Sequence, residues 1–189
     1  MPQATARPTT AQTGGRIFTI GHSTRPVDAF IRLLRAHRIA RVVDVRTIPK
    51  SRRNPQFGRD ALKASLRRAG IRYTHVPGLG GLRHPRPDSP NGGWRNASFR
   101  GYADYMQTAA FARSLERCLR LAAKDRIALM CAEAVPWRCH RSLIADALLA
   151  RGVQASEIAS AVRARPHVLT KWARIVDGRV TYPPDAAGG

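Results

Sequence analysis

RIFTIGHSTRPVDAFIRLLRAHRIARVVDVR, residues 16–46, decides the fold. Its first part, RIFTIG at 16–21, alternates apolar and β-branched residues as a strand does. Residues 26–37 set Val27, Phe30, Ile31, Leu33 and Leu34 on a helical period. Pro26 suits the first turn of that helix and Thr24 stands where a cap belongs. IARVVDVR at 39–46 is apolar and β-branched through its centre, as a strand covered on both faces is. Strand, helix and strand in this order make a βαβ unit, which implies a right-handed crossover and a parallel sheet.

Working outward, the period predicts a helix over 58–69, stopped by Gly70, and a strand over 72–76. Residues 77–100 hold several glycines and prolines and no period. A segment of that length is expected to be functional or disordered. One helix is predicted over 101–123, a strand over 127–131 (IALMC) and a helix over 136–151, stopped by Gly152. A last strand is expected at 153–158, and a hairpin at 175–182 about Asp177 and Gly178. Residues 1–15 read as a disordered leader and 183–189 as a flexible tail. That leaves 16–182 as a single α/β domain: a mainly parallel sheet flanked by helices, with a C-terminal hairpin.

Composition agrees with one domain. The chain has 189 residues, 43 % of them hydrophobic, which suffices for a sizeable core. Lys and Arg total 33 against 12 acids, a net charge of +21, so an acidic tail protein is excluded. Only Lys50, Lys63, Lys124 and Lys171 are lysines, and the remaining basic residues are arginines. Mutational bias in a GC-rich genome accounts for that exchange, but less well for the shortage of acids. A polyanionic partner (nucleic acid or a phosphate-bearing small molecule) and a solvated basic surface are therefore equal readings. No run of eighteen apolar residues exists, so no membrane partner is expected. Residues 1–15 show no secretory pattern, and three cysteines do not make a disulfide framework. Both features point to a cytoplasmic, reducing location. No cofactor and no oligomeric state are legible.

In a parallel sheet, ligands bind beyond the carboxyl ends of the strands. His22 and Ser23 follow the first strand, and Asp44, Arg46 and Ser51 end or follow the second. Cys131 ends the strand at 127–131 and Glu133 follows it, and Arg138, Cys139, His140 and Arg141 follow Pro136. All should converge on one cleft. If Pro136 starts a helix, residues 138–141 lie in its first turn, where free N–H groups favour an anion and a Cys139 thiolate. Arginines there oppose the helix dipole at a cost of about 0.3–1 kcal/mol, which a bound anion would offset. Four readings stand side by side. Cys131 or Cys139 is a nucleophile with His140 or His22 as base, although the spacing to Arg138 is one residue longer than the Cys-x5-Arg phosphatase loop. Cys131, Cys139 and His140 hold a metal, at a spacing foreign to standard zinc sites. Glu133 is the working carboxylate. Or the whole cluster is structural.

Single residues carry plain alternatives as well. Ser23 or Thr24 caps the first helix. Asp44 and Arg46, two apart, share a strand face and form an ion pair with a neighbouring strand. Tyr102 and Tyr105, three apart, share a helical face and pack in the core, with base stacking the lesser alternative. Gly78–Gly81 is too loosely patterned for a phosphate loop and reads as a lid or a plain turn. The basic run from Arg46 to Arg72, with Asp60 its only acid, reads by default as a solvated face.

GHST at 21–24, DVR at 44–46, PKS at 49–51, NPQFG at 54–58, LGG at 79–81, GYADYMQT at 101–108 and ALMCAEAVPWRCHR at 128–141 resemble one family. It is the bacterial and archaeal domain of unknown function family DUF 488, and the resemblance runs from about Arg16 to Tyr182. It implies an α/β domain with characteristic residues at the strand ends, and it imports no reaction. Its motif positions here are His22, Ser23, Asp44, Arg46, Pro49, Ser51, Gly80, Gly81, Tyr102, Tyr105, Cys131, Glu133, Cys139, His140 and Arg141. One position departs: where the family pattern often has a His before the isoleucine of the last strand, this chain has Glu157.

The leading expectation is an enzyme, a hydrolase or transferase, acting on a phosphate-bearing substrate such as a nucleotide or nucleic acid. Arg46, Arg138 and Arg141 would hold the anion, with Ser23, Asp44, Ser51 and Tyr102 completing the substrate contacts. Glu133, His22 or His140 would move protons, and Cys131 or Cys139 would be the nucleophile. The rivals are a non-catalytic nucleic-acid-binding module, and a metal or redox sensor built on Cys131, Cys139 and His140.

Overall fold

Burial on both faces of the central strands dictates a layered architecture. In the computed structural model, which describes residues 16–184, β1 (Ile17–Gly21) and β4 (Ile127–Cys131) are buried at every position. With β2 (Arg41–Asp44), β3 (Arg72–His75), β5 (Ala155–Ile158) and β6 (Ala164–Pro166) they form a six-stranded sheet in the order β3-β2-β4-β1-β5-β6. Every pairing is parallel except β5 with β6. A separate hairpin joins β7 (Arg174–Val176) to β8 (Arg179–Thr181). Asp177 and Gly178 turn it with φ of 50° and 70°, the left-handed pair a two-residue hairpin requires. The leader 1–15 and most of the tail 183–189 lie outside the described residues.

Helices α1 (Val27–Ala36) and α2 (Arg59–Arg68) cover one face, packing Phe30, Leu34, Leu62 and Leu66 on Phe18, Ile20, Val42 and Met130. Helices α3 (Ala97–Met106), α4 (Ala109–Ala122) and α5 (Arg141–Leu149) cover the other, packing Tyr102, Leu115, Leu143 and Ile144 on Ile17, Val43 and Leu129. From β1 the chain crosses to β2 on one side, and from β4 it crosses to β5 on the other. The crevice between the carboxyl ends of β1 and β4 is therefore the topological switch point. Among the described residues, no helix is long and apolar enough to cross a membrane.

Several expectations change. The helix predicted over 101–123 is two, because Thr108 accepts from the Phe111 N–H and starts α4 afresh. The apolar period runs across the break and hides it. Pro26 is the cap position of α1, without a side-chain cap, so neither Ser23 nor Thr24 caps it. Residues 136–138 form a 3-10 turn, Cys139 is extended (φ −129°, ψ 141°) and α5 begins only at Arg141. Arg138 and Cys139 thus precede the helix rather than sit in its first turn. Residues 77–100 are anchored: Asp104 accepts from Arg86 N–H, Ser89 Oγ and Asn91 Nδ2, while the Tyr102 and Tyr105 hydroxyls donate to Leu79 and Gly78 carbonyls. The short edge strand β6, with Pro166 in it, carries no signal in the sequence.

Candidate functional site

Backbone pairing continues past the strand ends and draws the two central turns together. The His22 N–H donates to the Cys131 carbonyl at 3.0 Å and the Ser23 N–H to Ala132 at 2.9 Å. Gly21 permits this crossing, since a Cβ there would stand 1.9 Å from the Glu133 carbonyl oxygen. Above the turns opens a cleft of about 660 Å³. His22, Ser23, Arg46, Ser51, Tyr102, Cys131, Glu133, Arg138, Cys139 and His140 line it. Asp44 and Arg141 do not; both lie buried behind its walls.

On the β2 bank, Arg46 folds back on Asp44. Its Nε donates at 2.9 Å, its Nη2 at 2.6 Å and its backbone N–H at 3.1 Å. The Tyr73 hydroxyl adds a fourth bond to the same carboxylate at 2.7 Å. The ion pair is therefore internal to this segment, with β3 contributing a phenol rather than a charge. His22 stacks on Phe57 at 4.1 Å and donates from Nδ1 to the Ser23 carbonyl at 2.7 Å. Its Nε2 accepts from Arg46 Nη1 at 3.3 Å. Burial pulls its pKa down to about 4, so it is neutral near pH 7. With both nitrogens engaged, His22 has no lone pair left for a substrate proton.

On the β4 bank, sulfur takes the place of the carboxylate. Cys131 Sγ lies 2.7 Å from Cys139 Sγ and 2.7 Å from Arg141 Nη1. Burial pushes the Cys131 thiol up, but the Cys139 hydrogen bond and the Arg141 charge outweigh it and hold the thiol below its ordinary value. Cys139, which lends its proton to Cys131 and is itself buried, is held far above. Arg141 also donates to the Glu133 carbonyl at 2.7 Å and from Nη2 to Glu157 Oε1 at 3.3 Å. The Thr19 hydroxyl donates to the other Glu157 oxygen. His140 packs 5.0 Å from the Tyr102 ring, with Nδ1 3.7 Å from Cys139 Sγ, and burial lowers its pKa to about 4.

The rim is polar. Glu133 is exposed and its Oε1 accepts from the Val135 N–H, Arg138 is exposed, and Ser51 Oγ accepts from the Asn54 N–H. Four cations line the cleft (Arg46, Lys50, Arg53 and Arg138) against one acid, Glu133. Among the described residues, no group of three or more His, Cys, Asp or Glu is placed to hold a metal ion.

Residues missed in the sequence fall into two kinds. Thr47, Lys50, Arg53 and Asn54 follow β2 and were within reach of the strand-end rule already used for Ser51. Ser98 and Phe99 come from the start of α3, which no local signal aims at the cleft. No curated protein and no solved structure matches the chain. A family match spans residues 26–148, about two thirds of the chain, from the first residue before α1 into α5. The Gly-His-Ser bend before it and β5 after it lie outside the matched span, but the β2 bank and the Cys-His-Arg segment lie within it, and the chain belongs to the family described as Domain of unknown function DUF488.

Proposed function

We propose that this protein is an enzyme acting on a phosphate-bearing substrate, a nucleotide or nucleic acid, with the Cys131 thiolate as its nucleophile. One observation carries the reading: Cys131 Sγ receives the Arg141 guanidinium and the Cys139 thiol, each at 2.7 Å, on the wall of a cleft with a cationic lining. A thiolate stabilised in this way attacks at neutral pH, where an ordinary thiol is mostly protonated. Arg53, Arg138 and Lys50 attract the anion, and two of the three carry forked donors matched to phosphate oxygens. In the chemical step Cys131 Sγ bonds to phosphorus and the ester oxygen departs, taking a proton from water at the open rim. Water or a second alcohol then releases the phosphoryl group, and that choice separates a hydrolase from a transferase.

The test is chemical labelling combined with turnover. Iodoacetamide is expected to alkylate Cys131 with a midpoint below the ordinary thiol value of about 8.5, and inorganic phosphate should slow it. Cys131→Ser should abolish turnover on a panel of phosphate esters that the wild type cleaves. Full turnover in that variant, or labelling indifferent to phosphate, overturns the assignment. A nucleic-acid substrate would add an affinity falling with salt by about 0.9 logarithmic units per phosphate contacted.

A further inference from the structure

We propose a second activity in the same cleft: Cys131 and Cys139 act as a dithiol that exchanges with small acidic disulfides. The proposal rests on the reading of Cys131 as the reactive thiolate, and adds Cys139 as its resolving partner. The two sulfurs are 2.7 Å apart, and a disulfide bond needs them to close to about 2.0 Å. The approach needs little movement, and the backbone favours it. Cys131 is the last residue of β4, held in the centre of the sheet. Cys139 stands in extended backbone between the 3-10 turn at Pro136–Arg138 and the start of α5, so its sulfur can shift without breaking a helix. Fixed attacker and adaptable resolver are thus assigned by position.

Polarity runs the same way. The Arg141 guanidinium faces Cys131 at 2.7 Å and stabilises it as the attacking thiolate. Cys139 keeps the proton it donates to Cys131, so it waits as a thiol. Both residues line the cleft, which gives a disulfide substrate a route to them. Cys118 is the internal control: it is fully buried in α4 and burial pushes its thiol up to about 12. Lys50, Arg53 and Arg138 around the opening favour a disulfide that carries carboxylates.

The reaction balances without a further reagent. Cys131 Sγ attacks one sulfur of the substrate disulfide, and the first thiolate leaves and takes a proton from water. Cys139 Sγ then attacks Cys131 Sγ in the mixed disulfide, and the Cys139 proton goes to the second departing sulfur. The protein dithiol is oxidised by two electrons, and one substrate disulfide becomes two thiols. An excess of the same thiol runs the sequence backwards and restores Cys131.

The experiment treats the reduced full-length chain with glutathione disulfide near pH 7 and follows intact mass and peptide maps. The wild type is expected to lose two hydrogens and keep no adduct. Cys139→Ser should stop with one glutathione on Cys131, Cys131→Ser should take none, and Cys118 should stay unmodified throughout. Cystamine, a cationic disulfide, should react about tenfold more slowly at low salt, the difference shrinking as salt is raised. A wild type that is not oxidised, or that carries its first adduct on Cys118 or Cys139, overturns the proposal, and neither result depends on a variant folding. If iodoacetamide still labels Cys131 at low pH while no disulfide forms, this inference fails and the nucleophile stands. If labelling fails too, both fall.

Discussion

Two buried arginines, one on each bank of the cleft, are neutralised in different ways. Arg46 on the β2 bank is 7 % exposed and meets a carboxylate: three of its N–H groups reach Asp44, which Tyr73 also holds. Arg141 on the β4 bank is 1 % exposed and meets sulfur, a backbone carbonyl and, at the longer distance of 3.3 Å, Glu157. The Arg46 guanidinium is held within its own turn by Asp44, so that pair locks the turn in place and serves no group that could react. A thiol is ionised only if something favours it, so the Arg141 charge alters what its partner can do. The same side-chain type is scaffold on one bank and activator on the other.

The largest effect expected from this difference is on stability, at the scaffold. Asp44→Ala leaves the Arg46 guanidinium buried without its counter-charge and should cost about 3–5 kcal/mol in urea unfolding. Tyr73→Phe removes only one bond to the same carboxylate and should cost about 1 kcal/mol. A loss below 1 kcal/mol for Asp44→Ala would break the comparison, because the β2 bank would then not depend on its ion pair.

At the activator the measured quantity changes. Arg141→Met should raise the Cys131 pKa by about 1–3, the usual influence of an opposite charge at this range, read from the pH dependence of iodoacetamide labelling. Arg46→Met should leave that profile where it is. Equal shifts in both variants would mean that the two arginines act through one general field and that the banks do not differ.

What the sequence showed of this arrangement, and what it hid, follows from how local each signal is. The βαβ order, the strand ends and the Asp177–Gly178 turn were legible because alternation, helical period and positive-φ residues act within a few positions. Convergence of His22, Arg46, Cys131 and Cys139 followed from topology once the sheet was parallel. The break at Thr108 was hidden because α3 and α4 pack on the same face and share one apolar register. The extended backbone at Cys139 was hidden because Pro136 starts a 3-10 turn as readily as an α-helix. The partners of buried polar groups were least visible. Nothing local says that Asp44 turns to Arg46 and Tyr73, that Asp104 holds residues 86–91, or that Asp146 gathers His167, Thr170 and Tyr182.

A third test uses acid, and its sign follows from burial. His22 and His140 are both pushed down to about 4, so each binds a proton more readily in the unfolded chain than in the folded one. Their contribution to stability is complete above about pH 6.5 and is lost as pH falls towards 4. The urea midpoint should decline through that window, and the decline should be shallower in His22→Phe, which keeps the stack on Phe57. Because His22 belongs to the β2 bank and His140 to the β4 bank, neither His22→Phe nor His140→Phe alone should flatten the curve. A flat curve after either single replacement would assign the whole acid response to one side.

The smallest effect concerns Glu157, and its sign is what makes it useful. Glu157 shares Arg141 with Cys131, and burial raises its own pKa although Arg141 and Thr19 pull it down. As an anion it competes with the thiolate for one guanidinium. Glu157→Gln removes that charge but keeps an oxygen able to accept from Arg141 Nη2, so the guanidinium stays in place and more of its field falls on Cys131. The Cys131 pKa should therefore drop by a fraction of a unit, opposite in direction to the change in Arg141→Met. Were Glu157 needed chiefly to aim the guanidinium, the labelling profile would move up instead, and Glu157→Ala would move it further up still. The two variants together thus decide whether the carboxylate on β5 restrains the thiolate or positions the cation that stabilises it.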